Sequence, residues 1–514
     1  MTQKRILRLI LGDQLNSRHS WFQGLDPKVT YLLMEIRQET DYVKHHIQKV
    51  AGFFAAMRSF ADWLSDSGHR VQYLRLNDPD NRHNFEDNIR KVIKTKKINR
   101  FEYLQPDEYR LDRQLETIAS GLPLSSEVTD TEHFICRRND VKKMFHAKKR
   151  FLMESFYRKM RRNHHILMEN GKPSGGQWNF DRRNRNRYDG NVPIPPPKVF
   201  ENDVTPLVRM IENTGVATIG SIQPEHFIWP VNRNQARLLL DEFVTHRLPY
   251  FGTYQDAMTT ESWSLFHSRL SFALNTKMLH PMEVIHAALR RASGNVKPRV
   301  EIEQIEGFVR QILGWREFIR GIYWAQMPDY EKMNYFDHKA SLPDYYWTGE
   351  TRMACMRSAI EQSLTHAYAH HIQRLMITGN FALLAGVDPD KVDRWYLGIY
   401  MDAIQWVEII NTRGMSQFAD GGIVATKPYI SSANYIRKMS NYCDHCFYSH
   451  AIKTGDRACP FNSLYWDFLV RHRSKLARNP RIGMMYRTWE RMKPDHQLAL
   501  MEQAQRNRAH LNDL

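Results

Sequence analysis

Over the first hundred residues, apolar positions fall in short dense runs separated by amphipathic stretches. Arg5–Gly12 (RILRLILG) and Val29–Ile36 (VTYLLMEI) read as buried strands. An amphipathic segment from Val43 to Leu64 follows, then a third strand, Arg70–Leu76 (RVQYLRL). Asn88–Val92 sits within a helical stretch, and Arg100–Leu104 reads as a fourth strand. Strands alternating with helical spacers predict a parallel, doubly wound sheet, an α/β domain. Ligands of such sheets bind beyond the carboxyl ends of the strands. Gly12, Asp13, Gln14 and Glu35 occupy such ends, and the same residues also suit ordinary strand-terminating turns.

The pattern changes near Gly171. From there to Pro197 the chain is rich in turn formers, with Gly175-Gly176, the basic run Arg182–Arg187 and a proline cluster ending at Pro197. Proline clusters make stiff connectors, so the domain boundary is placed here. Beyond it, apolar residues recur with helical period and β-branched runs are few. The predicted organisation is an α/β domain over residues 1–135, a basic and Pro-rich connector over 136–200 and an all-helical domain over 201–514. The run at Arg182 reads either as a solvated connector or as a phosphate-contacting segment.

Composition narrows the class. A chain of 514 residues, 42% hydrophobic and 25% charged, is globular and long enough for two or three subdomains. Arg5 and Arg8 break the first apolar run, unlike a signal peptide, and no stretch is apolar enough to span a bilayer. The expectation is a cytoplasmic protein. A formal charge of +17 favours a polyanion partner, above all nucleic acid.

Three of the five cysteines crowd into Cys443–Cys459. Cys443-Asp-His-Cys446 is a C-x-x-C loop, Cys459 is followed by proline, and Cys355 lies far upstream. Zinc ribbons use two such knuckles, whereas this chain has one knuckle and two isolated cysteines. Thiolates from distant segments, and a Cys-Pro pair, suit an iron–sulfur cluster. Spacing alone leaves zinc and a cluster level, with His445 as a further zinc ligand to weigh. Cys136 reads as a buried structural thiol.

Three strings in the helical half carry a family signal: His267-Ser-Arg-Leu-Ser271, Leu313-Gly-Trp-Arg-Glu-Phe318 and His366-Ala-Tyr-Ala-His370-His371. Together they resemble the flavin-binding half of the cryptochrome and photolyase family. The cysteine pattern, the tandem histidines and Leu11-Gly-Asp-Gln-Leu15 are similar to its bacterial iron–sulfur branch, whose best-known members repair (6-4) photoproducts.

The resemblance implies FAD held by Tyr254, His267, Ser268, Leu270, Ser271, Gln311, Trp315 and Arg316, with Asp402 and Asn411 on its ring or adenine side and Glu408 near flavin N5. It implies a [4Fe–4S] cluster on Cys355, Cys443, Cys446 and Cys459. It also implies a 6,7-dimethyl-8-ribityllumazine antenna in the α/β domain, with Asp13, Gln14, Glu35 and Tyr42 as contacts. Trp395, Tyr396 and Trp347 match electron-transfer positions, and Tyr429 and Tyr435 fall near the lesion pocket. His371 matches the lower of two active-site histidines. The upper one falls on Ala367, which leaves His370 or His366 to compensate. His366 and His370, at i and i+4, would share a helix face, a spacing that also suits a metal.

The implied activity is light-driven repair of (6-4) photoproducts in UV-damaged DNA, single- or double-stranded, by a monomer. Arg158–Arg162, Arg182–Arg187 and Arg471–Arg481 are the expected phosphate contacts. A cryptochrome-type photoreceptor with the same cofactors is the alternative. A zinc-stabilised nucleic-acid binder without flavin is a third reading.

Overall fold

The computed structural model describes residues 5–146 and 151–514. Its N-terminal part is a five-stranded parallel sheet in the spatial order Arg70–Leu74, Val29–Met34, Ile6–Leu9, Arg100–Leu104, Ser125–Thr129. Ile6 pairs with Val29 on one side and with Arg100 on the other, so the strand order reverses at the first strand. That is where a doubly wound sheet opens a crevice. Four strands match the sequence pattern. The fifth, Ser125–Thr129, is an edge strand with almost no apolar face, so it gave no periodic signal.

The first strand stops at Leu9 because Gln14 bolts the turn that follows. Its amide oxygen accepts from the Leu11 N–H at 3.0 Å and its nitrogen donates to the Leu104 carbonyl at 3.2 Å. The long helix Ile47–Asp66 is capped by His46, whose Nδ1 accepts from the Gln48 N–H at 3.1 Å. The other His46 nitrogen bonds the Leu364 carbonyl at 2.8 Å, which ties this helix to the helical domain. Gln48 adds bonds to the carbonyls of Ser221 and Thr365 at 2.7 and 2.6 Å. Lys277, buried, bridges Asp13 at 3.1 Å and Asp107 at 2.7 Å across the same boundary. A buried cation with two carboxylates is costly to separate, so the domains are held in one arrangement.

Residues 136–200 are not a free connector. The helix Met153–Asn163 packs on the segment Arg310–Arg316, and the proline cluster is pinned by the Arg247 guanidinium, which donates to Pro195 and Pro196 carbonyls at 3.0 and 2.6 Å. The rest is helical. Among the described residues it contains four π-helical turns: Phe243–Arg247, Arg310–Arg316, Arg374–Gly379 and Ile410–Ser416. Such turns re-aim side chains and cluster at functional sites. A Cβ at Gly379 would collide with Ser416 Oγ, so only glycine lets the last two of these turns pack together.

Candidate active site

Two of the π-helical turns flank a buried polar network. Ser271 Oγ donates to Asp402 Oδ2 at 2.6 Å, and Arg374 pairs with Asp402 Oδ1 at 3.0 Å. Asn275 holds the Asp402 carbonyl at 2.8 Å. Asp402 sits in a short loop before the helix Gln405–Ile409, and Glu408 lies on that helix. Glu408 accepts from Thr412 at 2.7 Å, and burial raises its carboxyl above the usual range although Arg374 opposes this. Lys49 donates to the Leu397 carbonyl at 2.7 Å, and burial lowers it to about 8.

Three histidines converge beside this network. His267 and His370 stack, with ring centroids 4.4 Å apart and planes 15° from parallel. His371 and Arg247 both act on His267, whose pKa burial drives down to about 3. Burial also lowers His371, to about 4, with Arg374 adding to the effect. His371 is exposed, unlike the buried His370 beside it. Both ring nitrogens of His370 and Nε2 of His267 are buried without a partner. Orphaned polar atoms around a crevice are what a bound polar ligand satisfies.

His366 is elsewhere. The helix Ala354–His366 ends in Ala367, whose φ is +51°, and the next helical turn starts at His371. The chain direction changes, so the i, i+4 face expected from sequence does not exist. His366 stacks on Trp263 at 4.4 Å and 17° instead.

Trp395 and Tyr396 are buried, with rings 5.2 Å apart. Tyr396 meets Tyr400 at 5.5 Å, and the Arg374 guanidinium lies 3.7 Å over the Tyr400 ring. Trp347, in contrast, is 39% exposed. Tyr429 and Tyr435 lie where the positive charge of Arg185 reaches both hydroxyls, and Arg481 reaches Tyr429. Charges from two basic segments far apart in sequence thus both act on Tyr429. Asp256 faces Tyr435, and burial, aided by Asp181, raises it to about 6.

The basic helix Met153–Asn163 divides its arginines. Arg161 is 0% exposed and donates to the Ile166, Leu167 and Trp178 carbonyls, so it is structural and not a phosphate contact. Arg162 is exposed and lies 4.7 Å over the Trp178 ring.

A model of the deoxyribodipyrimidine photo-lyase-related family matches residues 8–227. Over 492 residues the chain is 43% identical to a (6-4) photolyase of Agrobacterium fabrum (strain C58), covering 95% of this chain and 96% of that protein. The chain belongs to the photolyase family. Two solved structures share its fold. A bacterial class III photolyase from Agrobacterium tumefaciens aligns with a TM-score of 0.57 and 15% identity over 85% of this chain and 87% of its own. A cryptochrome from Synechocystis sp. PCC6803 aligns with a TM-score of 0.55 and 12% identity over 85% and 89%.

The residues of this photolyase fit the family's FAD. The polar network offers the Ser271 hydroxyl, the Arg374–Asp402 pair and the orphaned histidine nitrogens. Arg374, which the sequence motifs did not single out, is the clearest omission; an isolated arginine outside any motif leaves no signal. The other expected contacts have partners within the protein. Leu270 is core, Gln311 and Asn411 bond carbonyls of their own helices at 3.0 and 2.7 Å, and Trp315 packs on Phe318 at 6.1 Å. Tyr254 stacks on Phe266 at 5.2 Å and donates to Asp189 at 3.2 Å. Arg316 packs between Phe134 and Trp406, 4.9 and 5.1 Å from their rings.

The four cysteines are brought to one place from three segments. Cys355 is in the first turn of the helix Ala354–His366, Cys459 caps the helix Pro460–Arg471, and Cys443 lies in the short turn Tyr442–His445 that Cys446 closes. Cys446 Sγ accepts from the Ala354 N–H at 3.5 Å. Burial raises Cys355 well above an ordinary thiol, and the charges of the other three act on it as well. Burial likewise raises Cys443 to about 11 and Cys459 to about 12. Among the described residues no three His, Cys, Asp or Glu side chains come close enough to hold a single ion.

At the switch point of the sheet lies a cavity of about 120 Å³, reached by Asp13, Tyr42, His45, Lys49, Phe53 and Glu108 among others. Gln14 and Glu35 do not line it. Gln14 is spent on the turn described above, and Glu35 is consumed by Arg58 at 2.7 Å, Tyr73 at 2.7 Å and the Leu76 N–H at 2.9 Å. His45, which the sequence did not flag, has both ring nitrogens buried without a partner.

Proposed function

We propose that this photolyase repairs (6-4) pyrimidine–pyrimidone photoproducts in DNA under blue light. The observation that carries the reading is the set His267, His370 and His371 beside the Arg374–Asp402 pair, in a chain similar over nearly its whole length to a (6-4) photolyase. FAD, when bound, supplies the light-driven electron. The chain does the rest. Ser268 and Ser271 hold the phosphates, and the Arg374–Asp402 pair and Glu408 face the flavin ring. Glu408, kept protonatable by burial, offers a proton near N5.

His371 is neutral at rest, because burial and Arg374 disfavour its charged form. Negative charge arriving on a lesion offsets both effects and lets the ring take and then donate a proton. Tyr429 and Tyr435 receive the flipped dinucleotide, and Arg185 and Arg481 meet its phosphates. The substrate is UV-damaged DNA, and the enzyme works on it as a monomer in the cytoplasm.

The cysteine site holds a [4Fe–4S] cluster. Thiols gathered from segments far apart in sequence, with a Cys-Pro pair among them, suit such a cluster. The N-terminal cavity takes 6,7-dimethyl-8-ribityllumazine. Its wall combines aromatic rings for a flat heterocycle with Asp13, Lys49 and Glu108 for a polyol chain.

The test uses holoenzyme and an oligonucleotide carrying one (6-4) photoproduct under blue light. Restored bases with wild type, and intact lesion with His371→Ala that still binds it, support the reading. An intact lesion with wild type overturns it and favours a photoreceptor.

A further inference from the structure

We propose that the amino edge of the N-terminal sheet is a second nucleic-acid site, which takes the phosphate backbone of undamaged duplex DNA. This site is separate from the repair chemistry above and does not depend on which lesion is repaired.

The topology of the sheet sets four cations side by side. Arg70 opens the strand Arg70–Leu74, Lys28 precedes Val29–Met34, and Arg5 precedes Ile6–Leu9. Ile6 is in register with Val29, and Thr30 with Arg70, so these strands start close to one level. Lys96 ends the helix before the next strand, Arg100–Leu104, and its carbonyl accepts from the Arg5 guanidinium at 3.2 Å. The four strands are consecutive in the sheet, so the row runs Arg70, Lys28, Arg5, Lys96. All four cations line one groove of about 690 Å³. It lies at the opposite end of the strands from the cavity that Asp13 and Tyr42 line.

Among the described residues no carboxylate lines the groove, and none pairs with Arg5, Lys28, Arg70 or Lys96. Asp26 is near in sequence, but its carboxylate accepts the backbone N–H of Lys28 at 2.9 Å. Arg100, on the last of the four strands, shows the contrast, since it is spent on Glu102 and Glu127. Arg5, Lys28 and Arg70 are exposed. Like charges held together without acids repel one another, and a bound polyanion removes that cost.

The row fits a nucleic-acid backbone in length. Neighbouring strands lie about 4.8 Å apart, so the four span about 14 Å. Duplex DNA carries a phosphate about every 3.4 Å along each strand, so about four phosphates match the row. Among the described residues no aromatic ring or side-chain amide lines the groove to stack or read a base. The site therefore holds backbone without regard to sequence or damage. No residue of the helical domain lines it, so DNA held here leaves the lesion crevice open.

The test is lysine footprinting of the holoenzyme with a dilute acetylating reagent, read by mass spectrometry. One sample holds a saturating undamaged duplex, and another holds tripolyphosphate at equal phosphate concentration. The duplex is expected to suppress acetylation of Lys28 and Lys96, and tripolyphosphate to leave most of it. Full reactivity of both lysines with the duplex bound overturns the proposal, and that result needs no variant to fold. Equal protection by tripolyphosphate overturns DNA as the ligand in favour of free polyphosphate. The combined variant Lys28→Gln, Arg70→Gln, Lys96→Gln should lower the slope of log affinity for the duplex against log salt by about 2.7, or about 0.9 for each cation removed. Its melting temperature and repair rate should match wild type. An unchanged slope overturns the site. Repair plays no part in the footprint, so failure of the (6-4) reading leaves this result standing.

Discussion

His267 and His370 stack as parallel imidazoles 4.4 Å apart, although they come from segments a hundred residues apart in the chain. Neither is free to carry charge easily: burial lowers both, and each is disfavoured further by neighbouring positive groups. The stack therefore acts as a neutral wall behind His371. His371→Ala is expected to lower the repair rate by about 100-fold while leaving lesion affinity nearly unchanged, the signature of a lost proton donor. His267→Phe keeps the stacking surface and should cost far less. Single-turnover repair and lesion binding, measured on the same proteins, check both.

Glu408 gives a pH prediction. Its raised pKa means that the carboxyl still holds a proton where an ordinary glutamic acid has lost it. Photoreduction of the flavin should then slow as pH rises through the raised value. Glu408→Gln should flatten that profile. An unchanged profile in the variant would falsify the assignment of Glu408 to the flavin ring.

The His338–His472 pair predicts acid lability. Their Nε2 atoms lie 3.0 Å apart in a buried contact, and burial lowers each ring to about 3. The unfolded chain takes up protons near pH 6.5, so stability is complete above that and falls as pH drops toward 3. The loss for His338 at pH 5 is about 2 kcal/mol. The melting temperature of His338→Gln should therefore vary less between pH 7 and pH 5 than that of wild type.

Neighbouring arginines should separate stability from DNA binding. Arg161→Ala removes three buried carbonyl contacts and should destabilise the fold by about 3 kcal/mol. Arg182, exposed in the basic run, should when replaced by alanine leave the melting temperature unchanged. It should reduce the slope of log affinity against log salt by about 0.9 if it touches one phosphate. Thermal melts and salt titrations of binding distinguish the two.

The N-terminal cavity is small enough to block. Val50 lines it from the helix Ile47–Asp66. Val50→Phe should abolish the lumazine absorbance of purified protein and leave FAD content intact. Retained lumazine in this variant would place the antenna elsewhere.

Much of this protein was determined by its sequence alone. Four parallel strands, the helical second half and the gathering of cysteines at Cys443–Cys459 are legible because apolar period and local spacing are properties of adjacent residues. The motif strings pointed to the flavin half for the same reason. What distant segments do to one another was not legible. The break at Ala367, which sends His366 to Trp263 and His370 to His267, follows from a left-handed backbone angle that alanine does not announce. Whether a basic residue stays at the surface or is spent on buried carbonyls, as with Arg162 and Arg161, depends on which face of the helix is covered by another segment. The partner of Asp402, and the ring contact of Tyr346 with Trp395, exist only once helices remote in sequence are packed together.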